Sequence, residues 1–305
     1  MPARRKNKGR KEAMKDQTII ITAKRGYTTE GLRKVGYTVL YPYRDRTFFG
    51  RCLREVWFRL GLPESAWYSR EVTKLEPKYI TLHDPQITRK YLLWLQKEFP
   101  AANLHFQYDN MVGNARHLRP DQIPEGIDAS TYDAGDSERY GLRLRESGGG
   151  FFPSYIGTKR PTKYDVFFVG KDKGRGEYLL DLQKQMQDLG LKTKFIIVAD
   201  GRFSKRKSYY SRSIPYEKVI EYDNESRAIL NVTLPGQVGA TMRDYESVYN
   251  QVKLITTNPH IKNFDIYKEE NVFILGERDL AELPAFLSTP FVPLDEEILK
   301  RNLAT

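Results

Sequence analysis

Two glycine-bearing segments carry the residue types that hold phosphate. VGKDKGRG, at 169–176, follows a strand-like run and precedes a helical pattern. Gly170 permits close backbone approach there, the N-terminus of the following helix offers free N–H groups, and Lys171, Lys173 and Arg175 add positive charge. That suits a phosphate or diphosphate, although the segment is neither GxGxxG nor a Walker sequence and equally describes a solvated basic loop. The second segment, LPGQVGATMR at 234–243, is more specific. Gly236 and Gly239 bracket Gln237 and Val238 just before another helix. Backbone N–H groups from Val238 to Ala240 are placed to form an anion nest, with Thr241 and Arg243 adding donors. Glu246 lies about one turn into that helix, where a carboxylate can accept both hydroxyls of a ribose or simply compensate the helix dipole.

The elements around these segments alternate. Residues 17–22 and 36–43 read as strands, 48–60 as a helix, 78–83 as a strand, 86–98 as a helix and 103–108 as a strand. The stretch 145–163, with three consecutive glycines and two prolines, marks a hinge. Beyond it come strand 164–170, helix 176–189, strand 192–199, a basic Tyr-rich loop at 204–213, and a helix that Pro215 opens and that runs to about 223. Strand 227–233, helix 241–250, strands 252–257 and 271–275, and helices 279–288 and 295–303 complete the chain. This is an α/β pattern of two open halves with mainly parallel sheets, which places a ligand cleft between their carboxyl ends. The expected organisation is a basic disordered tail at 1–15, one domain at 16–155 and a second at 162–290, with the C-terminal helix at 295–305 packing back on the first.

Composition agrees with a globular protein: 305 residues, 40% apolar, 29% charged, mean hydropathy −0.61. No apolar run approaches a membrane span, and the N-terminus lacks the apolar stretch of a secretory signal. The single cysteine, Cys52, excludes an internal disulfide framework and a cysteine zinc site, and favours a cytoplasmic setting. His83, His105, His117 and His260 show no metal-ligand spacing, so no metal is expected. Of the net charge of +11, residues 1–15 supply +6, seven cations against Glu12, which leaves +5 for the rest. A basic arm of this kind fits nucleic acid, an anionic membrane surface or a plain solvated tail.

The run 226–275, SRAILNVTLPGQVGATMRDYESVYNQVKLITTNPHIKNFDIYKEENVFIL, resembles the donor-binding half of bacterial GT-B glycosyltransferases of the surface-polysaccharide type. The matching positions are Gln237, Gly239, Thr241, Arg243, Glu246, Lys253, Thr256, Asn258, Asn263, Asp265 and Tyr267. YDVFFVGKDKGR at 164–175 resembles the opening of that domain, and STYDAGDSERYGL at 130–142 the close of the one before it. The resemblance spans roughly 78–293 and is strongest from 164 onward. One departure is ESVYNQ, polar where the family has an aliphatic turn after the glutamate.

The resemblance implies two Rossmann-like domains and a metal-independent hexosyltransferase of the Leloir class. Its donor would be a UDP-, GDP- or dTDP-linked sugar, and no other cofactor is implied. Glu246 would hold the ribose, with Gly239, Ala240, Thr241 and Arg243 at the diphosphate or sugar. Gly170, Lys171 and Arg175 would meet the phosphates, and the loop before Tyr216 the base. The first domain would take a glycan or polyprenyl-linked acceptor and supply any general base. Candidates at strand ends are His83 and Asp84, Tyr108 and Asp109, and Tyr43 and Arg44; Asp84 or Asp109 is the first choice. His83 could equally be a packing histidine and Asp84 a helix cap.

Helix 48–60, with Phe49, Cys52, Leu53, Val56, Trp57 and Leu60 on one stripe and Arg51, Arg54 and Arg59 off it, reads as a core helix of the first domain. The alternative is docking at the inner face of a membrane, where lipid-linked acceptors lie. A competing functional reading is a nucleic-acid-binding or modifying protein using the tail and GRFSKRKSYYSRS at 201–213. The body charge of only +5 and the lack of a recognised RNA-binding motif weigh against it. A two-domain small-ligand binder of the exported type lacks its signal peptide.

Overall fold

The computed structural model describes residues 15–23, 26–45, 47–113, 118–145, 151–201, 204–205 and 207–303. The basic arm, apart from Lys15, and His117 lie outside them. The chain divides into two compact units, 1–146 and 147–305.

The first unit holds one six-stranded sheet, all parallel, in the order β2-β1-β3-β4-β5-β6. Its strands are β1 (Thr18–Thr22), β2 (Thr38–Leu40), β3 (Tyr79–His83), β4 (Asn103–Tyr108), β5 (Asp128–Thr131) and β6 (Arg143–Leu144). Its helices are α1 (Tyr27–Lys34), α2 (Phe48–Arg59), α3 (Arg89–Glu98) and α4 (Ala134–Tyr140). Ile19, Ile20 and Ile21 are all buried, as expected of a central parallel strand covered on both faces. Tyr91, Leu92 and Leu95 of α3 pack into the same core as Ile80 and Leu82 of β3. Helix α3 starts three residues later than its apolar pattern predicts. Gln86 has φ of 73°, outside helical space, and the Thr88 hydroxyl caps the helix by accepting from the Tyr91 N–H at 3.1 Å.

The second unit repeats the plan with five parallel strands ordered β11-β10-β9-β7-β8. They are β7 (Tyr164–Lys171), β8 (Thr193–Val198), β9 (Ser226–Asn231), β10 (Lys253–Thr256) and β11 (Val272–Ile274). The helices are α5 (Gly176–Asp188), α6 (Tyr216–Asn224), α7 (Met242–Tyr249), α8 (Leu283–Ser288) and α9 (Glu296–Asn302). Val166, Phe167 and Phe168 of β7 and Ala228, Ile229 and Leu230 of β9 are buried on both sheet faces. Pro215 stands at the cap of α6 rather than inside its first turn. The terminal helix α9, expected to return to the first domain, is tied within the second unit. Tyr249 Oη donates to the Leu299 carbonyl (2.6 Å), the Phe151 N–H to the Asn302 carbonyl (3.0 Å), and Arg301 pairs with Asp265 (2.7 Å).

Helix α2 corrects the sequence reading. Its apolar stripe faces outward: Phe49 is 82% exposed and Leu60 69%, with Leu53 and Val56 also more than half exposed. The residue it buries is Arg54, 1% exposed. That guanidinium lies 4.2 Å from the centroid of the Tyr43 ring, donates to Gln86 Oε1 (2.9 Å), and faces Asp45 at 3.5 Å. Trp57 and Phe58, half-buried, supply the apolar part of the inner face. An inward arginine with a cation–π partner, an acceptor and a carboxylate outcompetes the alternative orientation, because turning the helix over would separate the guanidinium from Tyr43, Gln86 and Asp45 together. Arg54→Ala is therefore expected to destabilise the chain by about 3 kcal/mol, measured by urea unfolding, as for other broken buried pairs.

Candidate functional site

Both sheets reverse their winding between the first and third strand, at β1/β3 and at β7/β9. In open parallel sheets this reversal point, at the carboxyl edge, is where ligands bind. Each unit carries a polar cluster there.

In the first unit His83 ends β3 beside Gln107 of β4 in the strand register. Residues two apart in an extended segment share a face, so Asp109 reaches the same side as Gln107. His83 Nδ1 lies 2.7 Å from Asp109 Oδ2. A carboxylate accepts only, so Nδ1 carries the proton and Nε2 is the basic nitrogen. Among the described residues, Nε2 has no hydrogen-bond partner. Asp109 is held in turn by Gln107 Nε2 at 2.8 Å and by Arg145 Nη2 at 3.4 Å on Oδ1. Arg145 also donates to the Tyr108 carbonyl at 2.7 Å. Asp84 is fully buried and serves the loop: its Oδ1 accepts from the Asp109 N–H (2.7 Å) and its Oδ2 from Asn110 Nδ2 (3.1 Å). The three sequence candidates thus form one hydrogen-bonded chain, Asp84 holding the Asp109 backbone and Asp109 holding the His83 ring. Tyr108 is turned away, its hydroxyl donating to the Leu118 carbonyl at 2.5 Å. Gln107 and Arg145 escaped the sequence reading because only strand pairing brings them to His83.

In the second unit the 169–176 segment leaves β7 at the reversal point. Lys171 Nζ donates to the Asp200 carbonyl (3.0 Å), and Arg175 Nη2 to the Lys171 carbonyl (3.3 Å). Asp172, buried, clasps the Tyr-rich loop: Oδ2 accepts from Tyr210 (2.6 Å), Tyr209 (3.0 Å) and Lys207 (3.2 Å), while Oδ1 accepts from the Gly176 N–H (2.7 Å). Burial pushes its pKa up, but these donors outweigh it and hold the carboxyl well below the usual range. Gly176 is required by this clasp, since a Cβ there would lie 2.3 Å from Tyr209 Oη. The described part of loop 201–213 is therefore folded onto β7 and β8, with Ser211 bridging Val198.

Helix α7 brings the other candidates together. Thr241 caps it, accepting from the Arg243 N–H at 3.2 Å, in a reciprocal box with Asp244. Gln237 Oε1 accepts from the Leu234 N–H at 3.3 Å, closing a turn in which Gly236 has φ of 77°. Asn258 Nδ2 donates to the Val238 carbonyl at 3.3 Å, and Ala240 is buried between Gly239 and Thr241. Arg243 Nη1 donates to Asp223 Oδ1 (2.9 Å) and to Glu246 Oε2, and Tyr216 Oη donates to Glu246 Oε1 (2.6 Å). Both oxygens of the 2%-exposed Glu246 carboxylate are thus already engaged by the chain's own donors. Arg243 Nε and Nη2 are buried with no partner among the described residues. Asp223, which no motif pointed to, completes the cluster. Burial pushes its carboxyl up to about 7, Arg243 opposes the shift, and Glu246 adds to it. Among the described residues no group of three His, Cys, Asp or Glu side chains stands close enough to hold a metal ion.

A carboxyl raised in the folded state favours folding when protonated. Its contribution is full below about pH 4 and fades as pH rises through about 7. Asp223→Asn is expected to flatten that decline, read as a smaller difference between calorimetric melting temperatures at about pH 5 and about pH 8.

No protein-family model and no curated protein matches the chain. Among solved structures it is similar to a DNA-modifying β-glucosyltransferase, determined with and without uridine diphosphoglucose. That similarity has a TM-score of 0.52 and 11% identity, and covers 93% of this chain and 91% of that one. MurG of Acinetobacter baumannii aligns with a TM-score of 0.43 and 11% identity over 93% and 94% of the two chains. The catalytic domain of starch synthase IV from Arabidopsis thaliana, bound to ADP and acarbose, aligns at 0.48 and 8% over 93% and 99%. The two parallel α/β units and the β-glucosyltransferase likeness identify the fold as GT-B. At this identity the likeness concerns the fold alone.

Proposed function

We propose that the chain is a glycosyltransferase that moves a sugar from a nucleoside-diphosphate donor to a hydroxyl of a glycan or lipid-linked glycan acceptor in surface-polysaccharide synthesis. The observation that carries this reading is the His83–Asp109 pair at 2.7 Å, at the reversal point of a GT-B sheet. In this scheme the acceptor hydroxyl binds at the first unit and loses its proton to His83 Nε2. A bond forms from that oxygen to the anomeric carbon, the bond from that carbon to the diphosphate oxygen breaks, and the nucleoside diphosphate leaves. Asp109 keeps the imidazole in the tautomer that can accept the proton and offsets its charge once protonated. On the second unit the donor lies along Gly170, Lys171, Arg175 and the 237–241 turn. The N-termini of α5 and α7 and these cations neutralise the departing diphosphate without a metal. Glu246 is already fixed by Tyr216 and Arg243, so it meets the ribose with its remaining lone pairs. The β-glucosyltransferase's uridine diphosphoglucose supports a nucleotide-sugar donor. The nucleic-acid reading is not favoured, since Tyr209, Tyr210 and Lys207 are spent on Asp172.

His83→Ala is expected to lower kcat by about 10²- to 10⁴-fold with little change in donor KM, and Asp109→Asn by somewhat less. The donor class is read from thermal shifts with UDP, GDP and dTDP. The correct one adds about 2.7 kcal/mol at about 100 times its dissociation constant, lost in Glu246→Ala. Unchanged turnover in His83→Ala would remove the base assignment, and sugar transfer to duplex DNA in the same assay would replace the acceptor class.

We also propose that α2 seats the enzyme on an anionic lipid surface. Phe49, Leu53, Val56 and Leu60 face outward with Arg51 and Arg59 exposed beside them, an apolar strip with cations at its border. No helix among the described residues is long and apolar enough to cross a membrane. Phe49→Asp with Leu53→Asp is expected to abolish co-sedimentation with phosphatidylglycerol vesicles while leaving transfer to a soluble acceptor intact. Equal binding by wild type and variant would exclude α2 as the contact.

A further inference from the structure

The first unit contains a second polar feature, a cavity of about 680 Å³ at the carboxyl end of edge strand β2. Its cations come from three separate segments: Arg33 in the last turn of α1, Arg44 after β2, and Arg70 and Lys74 around the 3₁₀ turn Val72–Lys74. Val39, Tyr41 and Tyr43 form apolar walls. The walls are built, not incidental. Tyr43 pairs antiparallel with Tyr68, the Ser69 N–H donates to the Pro42 carbonyl (2.9 Å), and the Arg44 N–H to the Trp67 carbonyl (2.9 Å). Arg44 Nε is fixed on the Tyr68 carbonyl at 3.0 Å, and Arg70 stacks over Trp94 at 5.3 Å. Among the described residues, four cations line the cavity with one carboxylate, Glu71. Among the described residues none of the four forms an ion pair, although elsewhere in the unit Arg54, Arg143 and Arg145 each do.

An excess of three positive charges in a cavity of ligand size is unfavourable when empty and matches a multiply charged oxyanion better than a single carboxylate. The two positioned guanidinium groups suit phosphate, whose oxygens accept both arms of an arginine fork. The cavity shares its sheet edge with His83. Strands β2 and β3 lie on either side of β1, so their ends stand about 10 Å apart, a gap that a phosphorylated sugar can bridge. Tyr43, one wall of the cavity, also donates to the Gln86 carbonyl at 2.7 Å, on the loop that carries Asp84. We infer that this cavity binds a phosphate or diphosphate group of the acceptor, placing the acceptor's free hydroxyl toward His83. The inference rests on the acceptor role proposed for the first unit and names the acceptor as a phosphorylated saccharide.

All three tryptophans, Trp57, Trp67 and Trp94, belong to the first unit, so tryptophan fluorescence of the full chain reports on it alone. Titration with inorganic pyrophosphate is expected to give a saturable change. Its midpoint should rise about tenfold in Arg44→Gln and again in Lys74→Gln, with melting temperatures unaltered, in keeping with the loss of one charge-assisted bond each. Lys171→Gln, in the second unit, should leave the midpoint where it was. The absence of a saturable change in wild type, or an unmoved midpoint in both cavity variants, would overturn the inference. So would a change produced by phosphatidylglycerol vesicles or duplex DNA but not by pyrophosphate. Thermal shifts with nucleoside diphosphates on the same proteins separate the two readings. If those persist, a negative pyrophosphate result removes this cavity only; if they too are absent, the glycosyltransferase reading fails with it.

Discussion

In a parallel sheet every strand ends on the same edge, so every strand-to-helix connection leaves from that edge. Where the order of winding reverses, neighbouring connections depart to opposite faces and leave a gap between them. Both sheets here reverse at the same place, between their first and third strands. The shared carboxyl edge brings His83, at the end of β3, to Asp109, just after the adjacent β4, and in the second unit the reversal sets the connection leaving β7 beside the one leaving β9. The cation-lined cavity at the end of β2 sits on the same edge for the same reason.

Within that frame, buried charge decides orientation. Arg54 in the first unit and Arg243 in the second are each surrounded by carboxylates, acceptors and an aromatic ring: Tyr43 for Arg54, and Phe167 at 5.3 Å for Arg243. Desolvating such groups is costly and the attraction between them roughly repays it, so the benefit is a defined arrangement more than net stability. Arg54 sets which face of α2 looks inward. Arg243 holds Glu246 and Asp223 together, and two of its own nitrogens have no partner among the described residues. Asp172 plays the corresponding part for the Tyr-rich loop, holding Lys207, Tyr209 and Tyr210 of a stretch that looks like an RNA-binding tract against the second unit.

The two clusters differ in how finished they are. The first has a chain of hydrogen bonds from Asp84 through Asp109 to His83, ending in a ring nitrogen with no partner among the described residues. Such a chain fixes both tautomer and ring orientation before any ligand arrives. The second is rigid at its base, through the Thr241–Asp244 cap and the Asn231 contacts to both.

The sequence by itself determined the alternation of strands and helices, the break near 145–163, and the two glycine-bearing loops. Buried parallel strands such as IIIT and DVFFV and the Thr-capped start of α7 announce themselves locally. It did not reveal α1, β5 or β6. YTTEGLRK has no apolar stripe, and DAST is a strand only because β4 and β6 pair with it, burying Ser130 and Thr131 completely. Periodicity correctly marked the apolar face of α2 but was silent on which way it points, since that depends on Tyr43, Asp45 and Gln86 meeting Arg54. Likewise His83 and Asp109 were visible as strand-end residues, while their hydrogen bond to each other, with Arg145 and Gln107 behind it, exists only once β3 and β4 lie side by side and the residue after β6 reaches Asp109. Local chemistry is written in neighbouring residues; the roles came from contacts between residues far apart in the chain, which only the tertiary structure supplies.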